Sequence, residues 1–281
     1  MIITVASGKG GTGKTTVAVN LARASGTDVQ LLDCDVEAPN DHLFLHISEP
    51  EEEIFGVPIP EVNPSLCDAC GDCSKFCQFN AIVTLKTGVL VFPELCHSCG
   101  GCVEICPHHA LTEVNKRTGV IRTSTDGNIK LIQGLVDVGV STVPPLIKAV
   151  KSRRKAGELT IIDAPPGASC PVIATIEGTD YVLLVTEPTP FGLNDLKLAV
   201  DMVRELKLPF GVVINRVGVG DDRVHQYCQK EDIAILLEIP DDRRIAEAYS
   251  RGELMVEALP EYNELFLSLL EKVSRLVQAD Q

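Results

Sequence analysis

Two groups of residues in this chain have the types and spacing to do chemistry. Eight of its eleven cysteines fall in two runs, Cys67, Cys70, Cys73, Cys77 and Cys96, Cys99, Cys102, Cys106. Each run reads Cys-x2-Cys-x2-Cys-x3-Cys, and Pro107 follows the second. Three thiolates this close wrap one face of a cubane iron–sulfur cluster, and the fourth ligates a second cluster. One [4Fe–4S] cluster is therefore expected on Cys67, Cys70, Cys73 and Cys106, the other on Cys96, Cys99, Cys102 and Cys77. Structural zinc is the competing reading. Its ligands come as pairs across a longer gap, which two dense runs of four do not supply. The second group is Gly8-Lys9-Gly10-Gly11-Thr12-Gly13-Lys14-Thr15, with Thr16 after it. It matches G-x-x-x-x-G-K-[ST], whose backbone N–H groups close around phosphate oxygens at a helix N-terminus. In this pattern Lys14 holds the β- and γ-phosphates of a nucleotide, and the Thr15 hydroxyl ligates Mg²⁺.

Both groups need a frame. Short β-branched runs occur at 2–6, 28–33, 159–163, 181–186, 210–214 and 233–238. Helical patterns lie near 14–25, 142–155, 192–207, 222–231, 242–250 and 261–278. Alternation of this kind predicts an α/β fold, a mostly parallel sheet flanked by helices. Ligands of such sheets bind at the carboxyl ends of the strands. The glycine-rich loop lies at such an end, and so does Asp163, which closes the apolar run Leu159-Thr160-Ile161-Ile162. The alternation stops after the second strand. Pro58, Pro60 and Pro64 lead into a turn-rich stretch with an internal repeat, in which each cysteine of the first run recurs 29 residues later and Ala81 maps onto Ala110. A self-similar pair of this size is an inserted module. The expected organisation is a discontinuous nucleotide-binding domain, 1–56 and 117–281, with a small α+β domain at 57–116 inserted into it.

Composition removes several classes. The formal net charge of −14 repels a phosphate backbone and argues against bulk nucleic-acid binding. No apolar run is long enough to span a bilayer. The chain opens on the strand pattern Met1-Ile2-Ile3-Thr4-Val5 without a basic leader. Clustered, odd-numbered cysteines suit metal binding in a reducing compartment, hence a cytoplasmic location. Cys34, Cys170 and Cys228 are expected as packed thiols, and His97, His108 and His109 as surface groups or as neighbours that support the ligands, since cysteine fills every ligand position. The last helix has Tyr262, Leu265, Phe266, Leu269, Leu270, Val273, Leu276 and Val277 at helical spacing. Its acidic balance predicts packing on the core rather than on a lipid surface.

The form Lys-Gly-Gly-x-Gly-Lys-Thr at Lys9–Thr15 resembles the deviant Walker A ATPases, the group of MinD, ParA, Mrp and the nitrogenase iron protein. That resemblance implies an Mg-dependent ATPase that forms a homodimer on ATP binding, with Lys9 reaching the partner's nucleotide. It also implies that Asp35 orients the attacking water, that Asp33 and Asp163 join Thr15 around Mg²⁺, and that Ala164-Pro165-Pro166-Gly167 is a switch loop. Asn215 and Pro240 resemble the group's adenine-side residues. The cysteine runs are similar to those of bacterial two-cluster ferredoxins, departing only at Cys77-Gln78, where a proline is usual. Mrp-type carriers end in a Cys-x-x-Cys that this chain lacks. Three functions follow as expectations: electron transfer to a metalloprotein or cofactor-assembly partner gated by ATP, an iron–sulfur carrier, or a ParA-like positioning ATPase with structural clusters. Because the insert lies between the loops of Asp35 and Asp163, nucleotide state is expected to move it.

Overall fold

A computed structural model describes residues 1–279. In chain order the elements are β1 (Ile2–Ala6), α1 (Lys14–Ala24), β2 (Val29–Asp33), β3 (Glu51–Val62), α2 (Asp72–Phe76), β4 (Ile82–Leu85) and β5 (Gly88–Val91). There follow α3 (Gly101–Glu104), β6 (Leu111–Asp126), β7 (Ile129–Val136), α4 (Pro144–Ser152), β8 (Leu159–Asp163), α5 (Cys170–Ile176) and β9 (Tyr181–Thr186). The chain ends with α6 (Pro190–Glu205), β10 (Phe210–Val217), α7 (Arg223–Lys230), β11 (Ile235–Pro240), α8 (Arg243–Ser250), α9 (Met255–Ala258) and α10 (Asn263–Ala279). Two compact units emerge. The first comprises Met1–Glu52, Ile121–Leu135 and Ile147–Gln281, the second Glu53–Val120 and Val136–Leu146.

The first unit is the α/β domain. Its sheet runs β11-β10-β9-β1-β8-β2-β7. The pairings β11–β10, β10–β9, β9–β1, β1–β8, β8–β2 and β2–β7 are all parallel. Strand alternation explains the two apolar faces. Ile3, Val5, Leu31, Ile161 and Leu183 face a cluster completed by Val17 and Leu21 of α1 and by Phe266, Leu269, Val273 and Val277 of α10. Val182, Leu184, Val212 and Ile214 face the opposite side, under Val172 and Ile176 of α5, Val200 and Val203 of α6, and Val224 and Cys228 of α7. The last helix is therefore a core helix. Register positions the site: Asp33 pairs directly with Asp163, and Val5, three residues before the phosphate loop, pairs with Asp163 from the other side. No helix among the described residues is long and apolar enough to cross a membrane.

The second unit carries the repeat in its backbone. Ala69 and Ser98, Gly71 and Gly100, and Asn80 and His109 are pairs 29 residues apart, and each pair shares a left-handed φ. The helices α2 and α3 start 29 residues apart as well. Strand β4 pairs antiparallel with β5. The two halves interlock through matched hydrogen bonds: the Phe92 N–H donates to the Ala81 carbonyl at 2.7 Å, and the Asn63 N–H to the Ala110 carbonyl at 2.8 Å. Its buried core is small, Cys73, Ile82, Cys102 and Leu111, with Val62, Val89 and Val91 packed around it.

Candidate functional site

In the first unit the loop between β1 and α1 is shaped by its glycines. Gly11 and Gly13 have φ of 81° and 94°, where a side chain would be strained. Gly8 and Gly13 also have no room for one. A Cβ at Gly8 would lie 2.1 Å from the Asp195 carbonyl oxygen, and one at Gly13 would lie 2.3 Å from Asn215 Nδ2. Nothing stands within 4 Å of the equivalent points at Gly10 and Gly11, which face open space. That space is a cavity of about 400 Å³. Gly10, Gly11, Gly13, Lys14, Thr15, Thr16, Asp35, Asn215 and Pro240 all line it, joined by Asn40, Pro166, Arg216, Ile245 and Tyr249. Asn215 Nδ2 donates to the Thr12 carbonyl at 2.9 Å, tying the strand-end loop to the phosphate loop. Gly8, Lys9 and Thr12 do not line the cavity. Lys9 instead lies 3.6 Å from Glu187.

Acids gather at the strand ends. Asp33 accepts from the N–H groups of Asp35, Asn40 and Asp41 at 3.1, 2.9 and 3.2 Å. The Thr15 hydroxyl donates to Asp163 Oδ2 at 2.7 Å and lies 3.0 Å from Asn40 Oδ1. The buried Asp41 joins Asp33 and Asp163, one oxygen of each lying within 4.8 Å of the others. Burial pushes all three carboxyls above the usual range, and the neighbouring acids of the trio raise Asp33 and Asp41 further. Asp35 is half-buried; burial raises its carboxyl and the Lys14 charge lowers it. This chemistry fits Mg²⁺ and a nucleotide. Lys14 and the open loop would hold the phosphates, Thr15 and the acids the cation, which supplies charge neutralisation when bound.

In the second unit the eight cysteines sort into two cavities. Cys67, Cys70, Cys73 and Cys106 line one, enclosed by Val62, Val89 and Leu111. Cys77, Cys96, Cys99 and Cys102 line the other. The first is narrow, about 20 Å³, the second wide, about 480 Å³. In each the fourth cysteine comes from the opposite run. Among the described residues, only the Asp33, Asp41 and Asp163 trio converges within 4.8 Å, and no three thiols do. Backbone N–H groups of Ser98 and Ala110 donate to the sulfurs of Cys96 and Cys106 at 3.4 and 3.3 Å. Burial pushes the Cys102 thiol up to about 11 and raises that of Cys73. A metal's positive charge would favour the thiolate at either place.

The rims of the two cavities differ. At the first, His108 lies 3.0 Å from the Asp68 carboxylate. At the second, His97 stacks on Phe79 with ring centroids 3.7 Å apart. Residues 68 and 97, and 79 and 108, are again 29 apart. One pair of repeat positions thus carries a polar contact at one cavity and an aromatic one at the other.

A family model described as the CobQ/CobB/MinD/ParA nucleotide binding domain matches residues 3–255. The chain belongs to this family. It is a P-loop ATPase of the MinD/ParA type. An uncharacterized protein of Methanocaldococcus jannaschii is 31% identical over 99% of this chain and 98% of its own length. An iron–sulfur cluster carrier protein of Aquifex aeolicus is 27% identical over 99% of this chain and 68% of its own. Among solved structures, the septum site-determining protein MinD of Pyrococcus horikoshii with Mg-ADP superposes with a TM-score of 0.60 at 21% identity, covering 100% of this chain and 98% of that one. At that identity the likeness shows the fold, and the fold agrees with the parallel sheet expected from the sequence.

Within this ATPase, several residues correct or extend the sequence reading. Cys34 and Cys228 are buried as expected, but Cys170 is exposed. It opens α5, and helix-start side chains ahead of the first buried residue, Val172, face outward. Asp41 was not anticipated; it sits on a short turn eight residues past Asp33, where no periodic pattern flags it. Glu187 was also missed, although it follows the apolar strand β9 as Asp163 closes β8. It is buried and meets both Lys9 and Arg216, the latter at 3.3 Å.

Proposed function

We propose that this ATPase carries two [4Fe–4S] clusters, dimerises on ATP, and couples nucleotide state to electron transfer toward a metalloprotein or cofactor-assembly partner. The observation that carries this reading is the crossed sorting of eight cysteines into two cavities, with Cys73 and Cys102 in the core of the unit. Four protein thiols per site leave no position open for a receiver, which favours retention of a cluster over its delivery. Bound clusters supply one-electron carriers. The chain's own residues do the rest. Lys14 and the loop glycines bind the phosphates, and Asn215 and Pro240 border the base. Asp35, half-buried beside Lys14, orients the water. Lys9 would exchange its contact with Glu187 for the partner protomer's nucleotide.

A second reading is an iron–sulfur carrier, favoured by the relatives that bear that name in Aquifex aeolicus and Pyrococcus abyssi. One pair of measurements separates the two. The holo-protein is incubated with an apo-acceptor after labelling with radioactive iron, and in parallel its reduction of an acceptor protein is followed with and without ATP. Retained label with ATP-stimulated electron flow supports the first reading. Transfer of label to the acceptor without such flow replaces it by the second.

A further inference from the structure

In the first unit, charge at one place runs against the rest of the chain. The formal net charge is −14, yet the stretch 148–155 holds Lys148, Lys151, Arg153, Arg154 and Lys155 and no acid. Basic groups at a helix end offset its dipole, and α4 closes at Ser152. One or two suffice for that, and five exceed it. The stretch borders a cavity of about 330 Å³ between the ends of α4 and α5. Its lining is apolar at Ile2, Ile162 and Ala174 and basic at Lys148, Lys151 and Arg154, with Glu177 the one acid. Ile2 opens β1 and Gly178 precedes β9, so the cavity belongs to the amino-terminal edge of the sheet, whereas the phosphate loop leaves the carboxyl end of β1.

The cations have different tasks. The Lys151 amine donates to the carbonyls of Ala174, Thr175 and Glu177 at 2.9, 2.7 and 2.6 Å. An ammonium has three donors, so Lys151 is spent on the end of α5. Burial lowers its pKa, Cys34 and Glu177 oppose that, and the charges of Arg154 and Lys148 lower it further. Lys155 is paired with Glu158. Lys148 and Arg154 are exposed and have no carboxylate partner among the described residues. Two unpaired cations beside a third make a surface complementary to negative charge.

The arrangement selects the class of ligand. A free phosphate needs several donors that converge on one point, and here the half-buried ammonium is already saturated while the others are exposed. A nucleic-acid backbone extends well past a Debye length of about 8 Å and meets the acidic remainder of the chain. A short acidic protein segment stays within that distance. Its carboxylates suit Lys148 and Arg154, and an apolar side chain between them suits Ile2, Ile162 and Ala174.

We infer that the ends of α4 and α5 form a docking site for an acidic segment of a partner protein, with Lys148 and Arg154 pairing with its carboxylates. Lys151 is a positioning residue that fixes the end of α5 against α4 and so shapes the cavity. The site lies wholly in the first unit and does not rest on the iron–sulfur reading.

The probe is a short synthetic peptide, rich in glutamate with a central leucine and an uncharged fluorophore. Its binding to the full-length holo-protein is followed by fluorescence anisotropy. The peptide should bind, and more weakly as salt rises. Lys148→Gln combined with Arg154→Gln should weaken binding roughly fivefold or more at low salt and flatten the salt dependence. Both side chains are exposed, so the variant should fold and bind ATP as the parent does. Lys230→Gln with Arg275→Gln makes the same change of net charge elsewhere in the first unit and should leave peptide binding unchanged. A parent protein that does not bind the peptide overturns the inference, and so do two double variants that weaken binding equally. Inorganic phosphate that displaces the peptide at matched ionic strength would replace it with a small-oxyanion pocket. A single-stranded DNA oligonucleotide that binds more tightly than the peptide, and loses affinity in the Lys148 and Arg154 variant, would replace it with a nucleic-acid site.

Discussion

The two units solve the problem of holding a ligand in opposite ways. In the first, a broad parallel sheet buried under helices on both faces fixes a loop, and the loop is a finished cradle. Gly8 and Gly13 are clamped against Asp195 and Asn215, while Gly10 and Gly11 open toward the cavity. The ligand adds little that the core lacks. In the second, cysteines are themselves core residues, and Ile82 and Leu111 are the fully buried aliphatic companions of Cys73 and Cys102. One of its cavities is narrow, about 20 Å³. Small cores of this kind depend on metal for folding free energy, so ligand and fold are one equilibrium. A site on a large core can be emptied without harm; a site that is the core cannot.

The largest effect should therefore follow removal of iron. Chelation under oxidising conditions is expected to open residues 53–120 to proteolysis while the first unit keeps its helical circular dichroism and binds nucleotide. Simultaneous loss of ATP binding would erase the contrast. Next comes Lys14→Ala, which should weaken ATP binding by about a hundredfold or more, the loss of a charge-assisted phosphate contact. Cluster absorbance should be unchanged, and a bleached protein would mean the two sites fold as one. Asp35→Ala sharpens the first side alone. ATP should still bind, hydrolysis should fall by roughly 10²–10⁴-fold, and a dimer should persist on gel filtration; turnover at the parent rate assigns the water to another group. The smallest effect concerns the two cavity rims. If the protein holds the two clusters proposed, Asp68→Asn removes a negative charge beside one of them, so one of two reduction potentials should rise modestly, the other staying put, in a titration followed by paramagnetic resonance. Equal movement of both would show that the rim charge does not distinguish them.

Much of this was legible in the sequence because the relevant signals are local. Gly8–Thr15 encodes a backbone path, and Cys67–Cys106 encodes a repeat that the φ angles at 69 and 98, 71 and 100, and 80 and 109 reproduce. The strands β6 and β7 were not read. Their signal was present: alternating Val120, Arg122 and Ser124, then Asp126-Gly127, a pair that favours a tight turn, with Gly127 at φ 58°. Helix α5 hid behind Pro171, which marks the first turn of a helix as readily as a break. Asp41 is of another kind. Its partners Asp33 and Asp163 are joined to each other by sheet register and to Asp41 by a turn, so its role exists only in three dimensions.

The exchange of fourth cysteines has a consequence for how the protein is loaded. Cys77 closes the cavity that the second run begins, and Cys106 closes the one begun by the first. Filling either site orders the stretch that must supply a ligand to the other. Half-filled chains should thus be scarce during reconstitution: iron and sulfide given below stoichiometry should yield a mixture of full and empty molecules, as in any assembly whose first step lowers the barrier to its second.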